Sequence, residues 1–186
     1  MDLNEEEIIK RCKAKDSRSQ ALLYERYAPM LFGMSLRYTA SDDDAKDVLH
    51  DAFLKIFDSI KQYGGKGDFQ AWMTRIVINE AVNLYRLRKR RLTDNFEDLE
   101  EVIMDNSVVV SDFTTHEVLL EFVRNMPEGY RTVFNLCEIE EYTTEEASKI
   151  LNCNHSTCRS QLFKAKGYLR KKIEEFNKNE EKIIKK

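Results

Sequence analysis

Proline and glycine are scarce in this chain: two prolines and six glycines in 186 residues. So few turn-formers leave no means of making the many tight connections of a β sandwich or barrel. With 34% of residues charged, the composition points to an all-helical protein. Long apolar runs are missing too, and no window approaches the roughly 20 apolar residues of a membrane span. The start, Met1-Asp2-Leu3-Asn4-Glu5-Glu6-Glu7, is acidic where a secretory leader needs a basic end and an apolar centre. A cytoplasmic protein with no membrane insertion is the expectation. The three histidines (His50, His116, His155) are scattered and form no Ser-His-Asp pattern, which argues against an enzyme. None of the four cysteines forms a C-x-x-C pair. Cys153, His155 and Cys158 lie close together, but at a spacing no standard zinc site uses. Reduced, core-filling thiols are expected, with no catalytic residue, metal or cofactor.

What is present is charge, unevenly placed. The net charge is −3. Residues 1–91 and 122–186 are each slightly basic, whereas residues 92–121 contain nine acids and no Lys or Arg. Two mildly basic halves around an acidic stretch predict two small helical domains joined by a flexible acidic linker. The predicted boundaries are 1–91, a linker over 92–113, 114–173 and a frayed charged tail over 174–186.

Apolar periodicity predicts a short helix over 5–15 with Ile8, Ile9 and Cys12 inward, then a longer one over 17–38. Pro29 falls inside the second, so a kink or two abutting helices are expected there. Ser41 before three aspartates signals a helix start, since acids favour the positive end of the dipole. The helix that follows, about 42–62, turns Val48, Ala52, Phe53, Ile56 and Ile60 inward. It offers Asp44, Asp47, His50 and Asp51 outward, either as a solvated surface or as a docking face for a basic partner.

The Tyr63–Asp68 segment is a glycine loop that lacks the spacing of a phosphate-binding loop. Asp68 is placed to cap a helix over 69–91. That helix ends in five basic residues out of six, Arg86 to Arg91, a density suited to phosphate contacts. Asn79 and Asn83 share one of its faces, although Asn does not favour helix interiors. Trp72 is expected in the core. In the linker a transient helix is expected over 96–104. Beyond it, Thr114 and Glu117 suggest a capping box, Pro127 a helix start, and Val133 to Cys137 a further helix.

Thr143 to Lys172 predicts a helix-turn-helix. Thr143 and Glu146 form a capping box, and Ala147, Ile150 and Leu151 make one apolar face. Asn152 tolerates the left-handed turn, and Asn154 is placed to cap a second helix. In that helix Cys158, Leu162, Ala165 and Leu169 form one stripe. From His155 to Lys172 there are six Lys or Arg and no acid. An ordinary helical hairpin with a solvated face has the same spacing.

Residues 25–29 (Glu-Arg-Tyr-Ala-Pro), 44–57 (Asp-Ala-Lys-Asp-Val-Leu-His-Asp-Ala-Phe-Leu-Lys-Ile-Phe) and 69–76 (Phe-Gln-Ala-Trp-Met-Thr-Arg-Ile) resemble region 2 of sigma-70 family RNA polymerase sigma factors. Residues 126–134 and 143–166 resemble region 4 of the same family. The short length is similar to the extracytoplasmic-function group. The resemblance implies that the chain binds core RNA polymerase through the β′ clamp helices and the β flap, directs it to promoter DNA and assists melting. Asp44, Asp47, His50 and Asp51 match the segment that docks on the clamp helices. The 64–68 loop with Lys66, and the helix carrying Arg75, Asn79, Asn83, Arg86, Arg88, Lys89 and Arg90, match the part that melts and reads the minus-ten element. The helix from Asn154 matches the minus-thirty-five reader: Ser156, Arg159 and Ser160 for base edges, Lys164 and Lys166 for phosphates, His155 for either. An anti-sigma factor is a further candidate partner.

The chain departs from the family pattern at His50 and Asp51 (usually Gln and Glu), at Ala147-Ser148 (usually Ile-Ala) and at Asn152 (usually Gly). It departs again at Cys153 (usually an aliphatic), Cys158 (usually Val) and Gln161 (usually Arg). The alternative is a stand-alone helix-turn-helix regulator, for which the sequence has no heptad seam to form a dimer.

Overall fold

The computed structural model describes residues 3–65, 67–94 and 115–184. Among these every regular element is helical, and the chain divides by its contacts into two units, Met1–Leu84 and Tyr85–Lys186. The expected helix over 96–104, the Thr114 capping residue and most of the acidic linker lie outside the described residues.

The first unit contains α1 (Glu5–Lys13), α2 (Ser17–Tyr38), α3 (Asp42–Ser59) and the first part of α4 (Phe69–Asp94). Each of α1 to α3 begins on a side-chain cap. Asn4, Asp16 and Ser41 accept from the backbone N–H of Glu7, Ser19 and Asp44. These caps occupy donors that the helix cannot satisfy itself. Between the caps each helix buries one stripe. Ile8, Ile9 and Cys12 come from α1, Leu23 and Leu31 from α2, Ala52 and Ile56 from α3, and Met73 and Val77 from α4. Pro29 does not divide α2, which runs unbroken from Ser17 to Tyr38. Proline removes one backbone donor, and buried Tyr27 and Leu31 on either side hold the helix to the core. After α3 a 3₁₀ turn over Ile60–Gln62 leads into the glycine loop, so the predicted helix over 42–62 changes form for its last three residues. Trp72 is half-buried and stacks on Phe69 at 5.5 Å.

The second unit continues from the end of α4 to α5 (Thr115–Arg124), α6 (Glu128–Phe134), α7 (Thr144–Leu151) and α8 (His155–Ile184). Pro127 stands at the N-cap of α6, where its missing N–H costs nothing. The α5–α6 corner closes on Arg131, which is 2% exposed. Its guanidinium donates to the carbonyls of Arg124 and Met126 and so satisfies helix-end acceptors from inside the core. A π-helical turn over Asn135–Ile139 ends α6, a feature the apolar spacing did not reveal. Helix α8 does not stop at 173 but runs on to Ile184. No Gly or Pro interrupts it after Gly167. Lys171 and Lys172 lie 3.8 and 3.7 Å from Glu175, and Phe176 meets Phe122 edge-on at 6.1 Å.

The turn between α7 and α8 is the sharpest point of this half. Asn152 has φ 50° and ψ 52°, the left-handed region, and Cys153 N–H returns to the Ser148 carbonyl at 3.0 Å. Replacing Asn152 with Gly is expected to leave the melting temperature unchanged or slightly raised. Asn152→Val is expected to destabilise by about 1–2 kcal/mol, because a β-branched residue is strained in this region. Thermal unfolding followed by circular dichroism decides this, and equal stability of the Val and Gly variants would refute the strained turn.

Candidate nucleic-acid and polymerase interface

Helix α7 starts on a reciprocal cap. The Thr143 side chain accepts from Glu146 N–H, and the Glu146 carboxylate accepts from both the N–H and the hydroxyl of Thr143. Those bonds hold the Glu146 carboxyl below the usual carboxylate range. Along the outer face of α7, Glu145 and Lys149 pair at 2.8 Å, with the acid N-terminal to the base as the helix dipole prefers. With the start of α7 capped and the turn at Asn152 formed, α8 is set by burial of Cys158 and Ala165, both 0% exposed.

Burying Cys158 and Ala165 decides what α8 presents outward. Ser156, Arg159 and Ser160 are all exposed and lie on one face. Lys164 is exposed at the edge of that face, with its ammonium 5.8 Å from the Tyr130 ring centroid. The Ser160 hydroxyl donates to the Thr157 carbonyl at 2.9 Å, which leaves its lone pairs as acceptors. His155 sits at the helix start with Nε2 2.9 Å from the Thr144 hydroxyl, joining the two helices of the motif. Lys166 stands apart, paired with Glu138 at 2.8 Å on another side of the helix. Phe163, which the helical spacing does not mark, is 80% exposed, three residues beyond Ser160 and seven beyond Ser156 on the same face. Its exposure is unusual for so large an apolar side chain. The signal in the sequence was its place off the Cys158–Leu162–Ala165–Leu169 stripe.

The first unit presents two further groups. On α3, Asp47, His50 and Asp51 are exposed and Asp44 is half-buried. Leu54, 52% exposed, continues that face one turn on. On α4, Arg75, Asn79 and Asn83 follow one stripe at intervals of four, all exposed. The Asn83 side-chain amide lies 3.4 Å from Glu80, whose carboxylate is held by Lys55 of α3 at 2.6 Å. Just before this helix the loop is shaped by Gly65 and Gly67, with φ of 72° and 87°, values that L side chains rarely adopt. The Tyr63 hydroxyl donates to the Gly67 carbonyl at 2.7 Å, and the Asp68 carboxylate accepts from Gln70 N–H at 2.9 Å. Lys66 lies outside the described residues.

The basic end of α4 belongs by its contacts to the second unit. There Arg86 donates to the Ile150 carbonyl, and Arg88 lies 3.4 Å from the Glu128 carboxylate. Lys89 sits over the Tyr85 ring at 5.9 Å, and Arg90 is exposed.

Among the described residues no group of three or more His, Cys, Asp or Glu converges as metal ligands would, and no helix is long and apolar enough to cross a membrane. Cys158 is buried. Burial pushes Cys158 up to about 12 and Cys12 up to about 11. Both are therefore thiols rather than thiolates at neutral pH. In native protein Cys12 and Cys158 are expected to resist iodoacetamide at neutral pH and to label fully once denatured. Peptide mapping that found Cys158 labelled in the native chain would overturn this.

Comparison with known proteins gives two family matches in sequence order. Sigma-70 region 2 matches residues 23–93, and Sigma-70, region 4 matches residues 116–169. The ECF RNA polymerase sigma-E factor of Haemophilus influenzae is 28% identical over 183 residues, covering 92% of this chain and 96% of the relative. The ECF RNA polymerase sigma-E factor of Escherichia coli is 26% identical over 184 residues, covering 92% and 95%. Among solved structures, the sigma factor RpoE of Bartonella quintana in complex with the anti-sigma factor NepR aligns with a TM-score of 0.51. It is 18% identical and covers 83% of this chain and 96% of that one.

Proposed function

The chain belongs to the extracytoplasmic-function group of the sigma-70 family, and from that membership we propose how its exposed groups divide the work of an RNA polymerase sigma factor. The observation that carries the division is the pair of region matches in one chain, each containing an exposed polar face on a helix. The partners are core RNA polymerase and promoter DNA, with an anti-sigma protein as a further partner. The work is done in the cytoplasm and involves no bond chemistry of the chain's own.

Helix α8 enters the major groove. Arg159 has the fork geometry that pairs with guanine O6 and N7, and Ser156 and Ser160 offer hydroxyls to either base-pair type. Phe163 supplies an apolar surface for a thymine methyl group. Lys164 holds phosphate, with His155 at the helix start and Lys166 at its flank able to add charge. On α3, Asp44, Asp47, His50 and Asp51 dock on the clamp helices of the β′ subunit, and the second unit engages the β flap.

The glycine loop with Lys66 and the Arg75–Asn79–Asn83 stripe capture the opened strand at the minus-ten element. Unpairing a base costs a few kcal/mol, which capture in a fitted site must offset. Asn side chains suit the task because they both donate to and accept from a base edge. The cations Arg86, Arg88, Lys89 and Arg90 then hold the strand's phosphates. In the free chain Arg86 and Arg88 already have partners, so their use on DNA entails exchanging those contacts.

Multi-round transcription with purified core polymerase, with and without this chain, tests the function. A promoter-dependent transcript only in its presence is the expected outcome. Tight sequence-specific binding without polymerase, and no transcript on any template, would favour a stand-alone regulator instead. Arg159→Ala is expected to cost about 1–3 kcal/mol of discrimination at one upstream base pair. An equal loss on every sequence would remove its base contact. Asn79→Ala is expected to leave upstream duplex protection unchanged while slowing opening, read as lower permanganate reactivity of minus-ten thymines.

A further inference from the structure

Helix α1 lies N-terminal to the span matched by the region 2 family, which begins at residue 23. Nothing in the division of work above uses it. Its inner face is firmly seated. Ile8, Ile9 and Cys12 are 4%, 8% and 1% exposed, and the Tyr27 hydroxyl of α2 donates to Glu5. That seating carries Lys13, the last residue of α1, to the glycine loop fifty positions away.

There the Lys13 ammonium donates to the Tyr63 carbonyl at 2.7 Å and lies 5.8 Å from the Tyr63 ring centroid. Tyr63 is thus held in three ways. Lys13 holds its carbonyl, Phe69 and Trp72 flank its ring at 4.9 and 5.6 Å, and its hydroxyl crosses the loop to the Gly67 carbonyl. The described residues of the loop between those anchors, Gly64, Gly65, Gly67 and Asp68, are exposed, and Gly65 and Gly67 have positive φ, a backbone that glycine permits. A permissive loop that captures an unpaired base must be fixed from outside, or its ordering subtracts from the binding. Lys13 is a charged donor, and such hydrogen bonds are roughly twice as strong as neutral ones.

We propose that α1 is a strut for the strand-capturing loop and that Lys13 is a positioning residue for promoter opening, acting through the Tyr63 carbonyl and ring. This rests on the assignment of the 63–68 loop to the minus-ten strand.

The test uses the full chain as wild type, Lys13→Met and Lys13→Arg. Methionine keeps an apolar stem but removes the donor and the charge, whereas arginine restores both. Trp72 is the only tryptophan, and its contact with Tyr63 makes acrylamide quenching of its emission a direct report on the loop in the free protein. Lys13→Met is expected to raise that quenching and Lys13→Arg to return it towards wild type. With core polymerase, on a promoter first identified by wild-type transcription, Lys13→Met is expected to lower permanganate-reactive opened DNA about tenfold, the scale of one lost hydrogen bond to a charged group. Co-purification with core polymerase and upstream duplex protection should be unchanged. The strut is overturned if Lys13→Met leaves quenching and opening at wild-type values. It is equally overturned if core binding falls in parallel with opening, because Lys13 would then only hold the domain together. If the wild-type chain opens no promoter, the minus-ten assignment fails instead, and the quenching arm still decides whether Lys13 fixes the loop.

Discussion

Phe69 is the point on which the first half of this protein turns. It is 2% exposed, stacks on Trp72, and meets Tyr27 and Tyr63 edge-on at 5.9 and 4.9 Å. Through those rings it joins α2, the end of the glycine loop and the start of α4, and Tyr27 extends the cluster to Glu5 on α1. Aromatic rings of this kind combine a large buried area with a preferred geometry. They therefore fix direction as well as supply stability. The loop can be rich in glycine because both of its ends are anchored in this cluster, Tyr63 on one side and Phe69 on the other.

The second half solves a different problem with smaller parts. A helix-turn-helix must expose one face of its second helix completely, so that helix has only its other face to hold it. Here the holding comes from small buried groups, Cys158 and Ala165, and from the left-handed Asn152 that sets the angle between α7 and α8. The reciprocal Thr143–Glu146 cap and the His155–Thr144 bond secure the start of each helix. The exposed face is left free to carry Ser156, Arg159, Ser160 and Phe163, which would otherwise be poor choices for a stable surface.

The two functions place opposite demands on charge. DNA contact calls for cations and docking on a basic partner for acids; α3 exposes Asp47 and Asp51 beside Lys46 and Lys55, while α8 exposes Arg159 and Lys164. Several cations are engaged internally in the free chain, Lys166 with Glu138 and Arg88 with Glu128. Lys166 is exposed, and a surface pair such as its own contributes little to stability, whereas Arg88 and Glu128 are both half-buried. Salt screens contacts of this kind.

The sequence alone determined the helices and the sites where motif chemistry is local. The caps at Ser41 and Thr143, the turn at Asn152 and the stripe through Cys158 and Ala165 depend on residues within a few positions of one another, where spacing translates directly into geometry. The resemblance to the sigma-70 family was legible for the same reason, since its motifs are short contiguous runs. Only the tertiary structure decided what depends on packing. Arg131 turned inward to the carbonyls of the preceding corner and Pro29 carried within an unbroken helix were set by the core around them. Helix α8 continues through the charged segment on its local Lys–Glu pairs together with Phe176 against Phe122, a contact that spacing does not encode. The same holds for Lys13, an unremarkable cation at the end of a short helix until folding places its ammonium 2.7 Å from the carbonyl of Tyr63. A hydrogen bond across fifty residues leaves no periodic trace in a sequence, because its geometry exists only once α1 and the loop have found the same core.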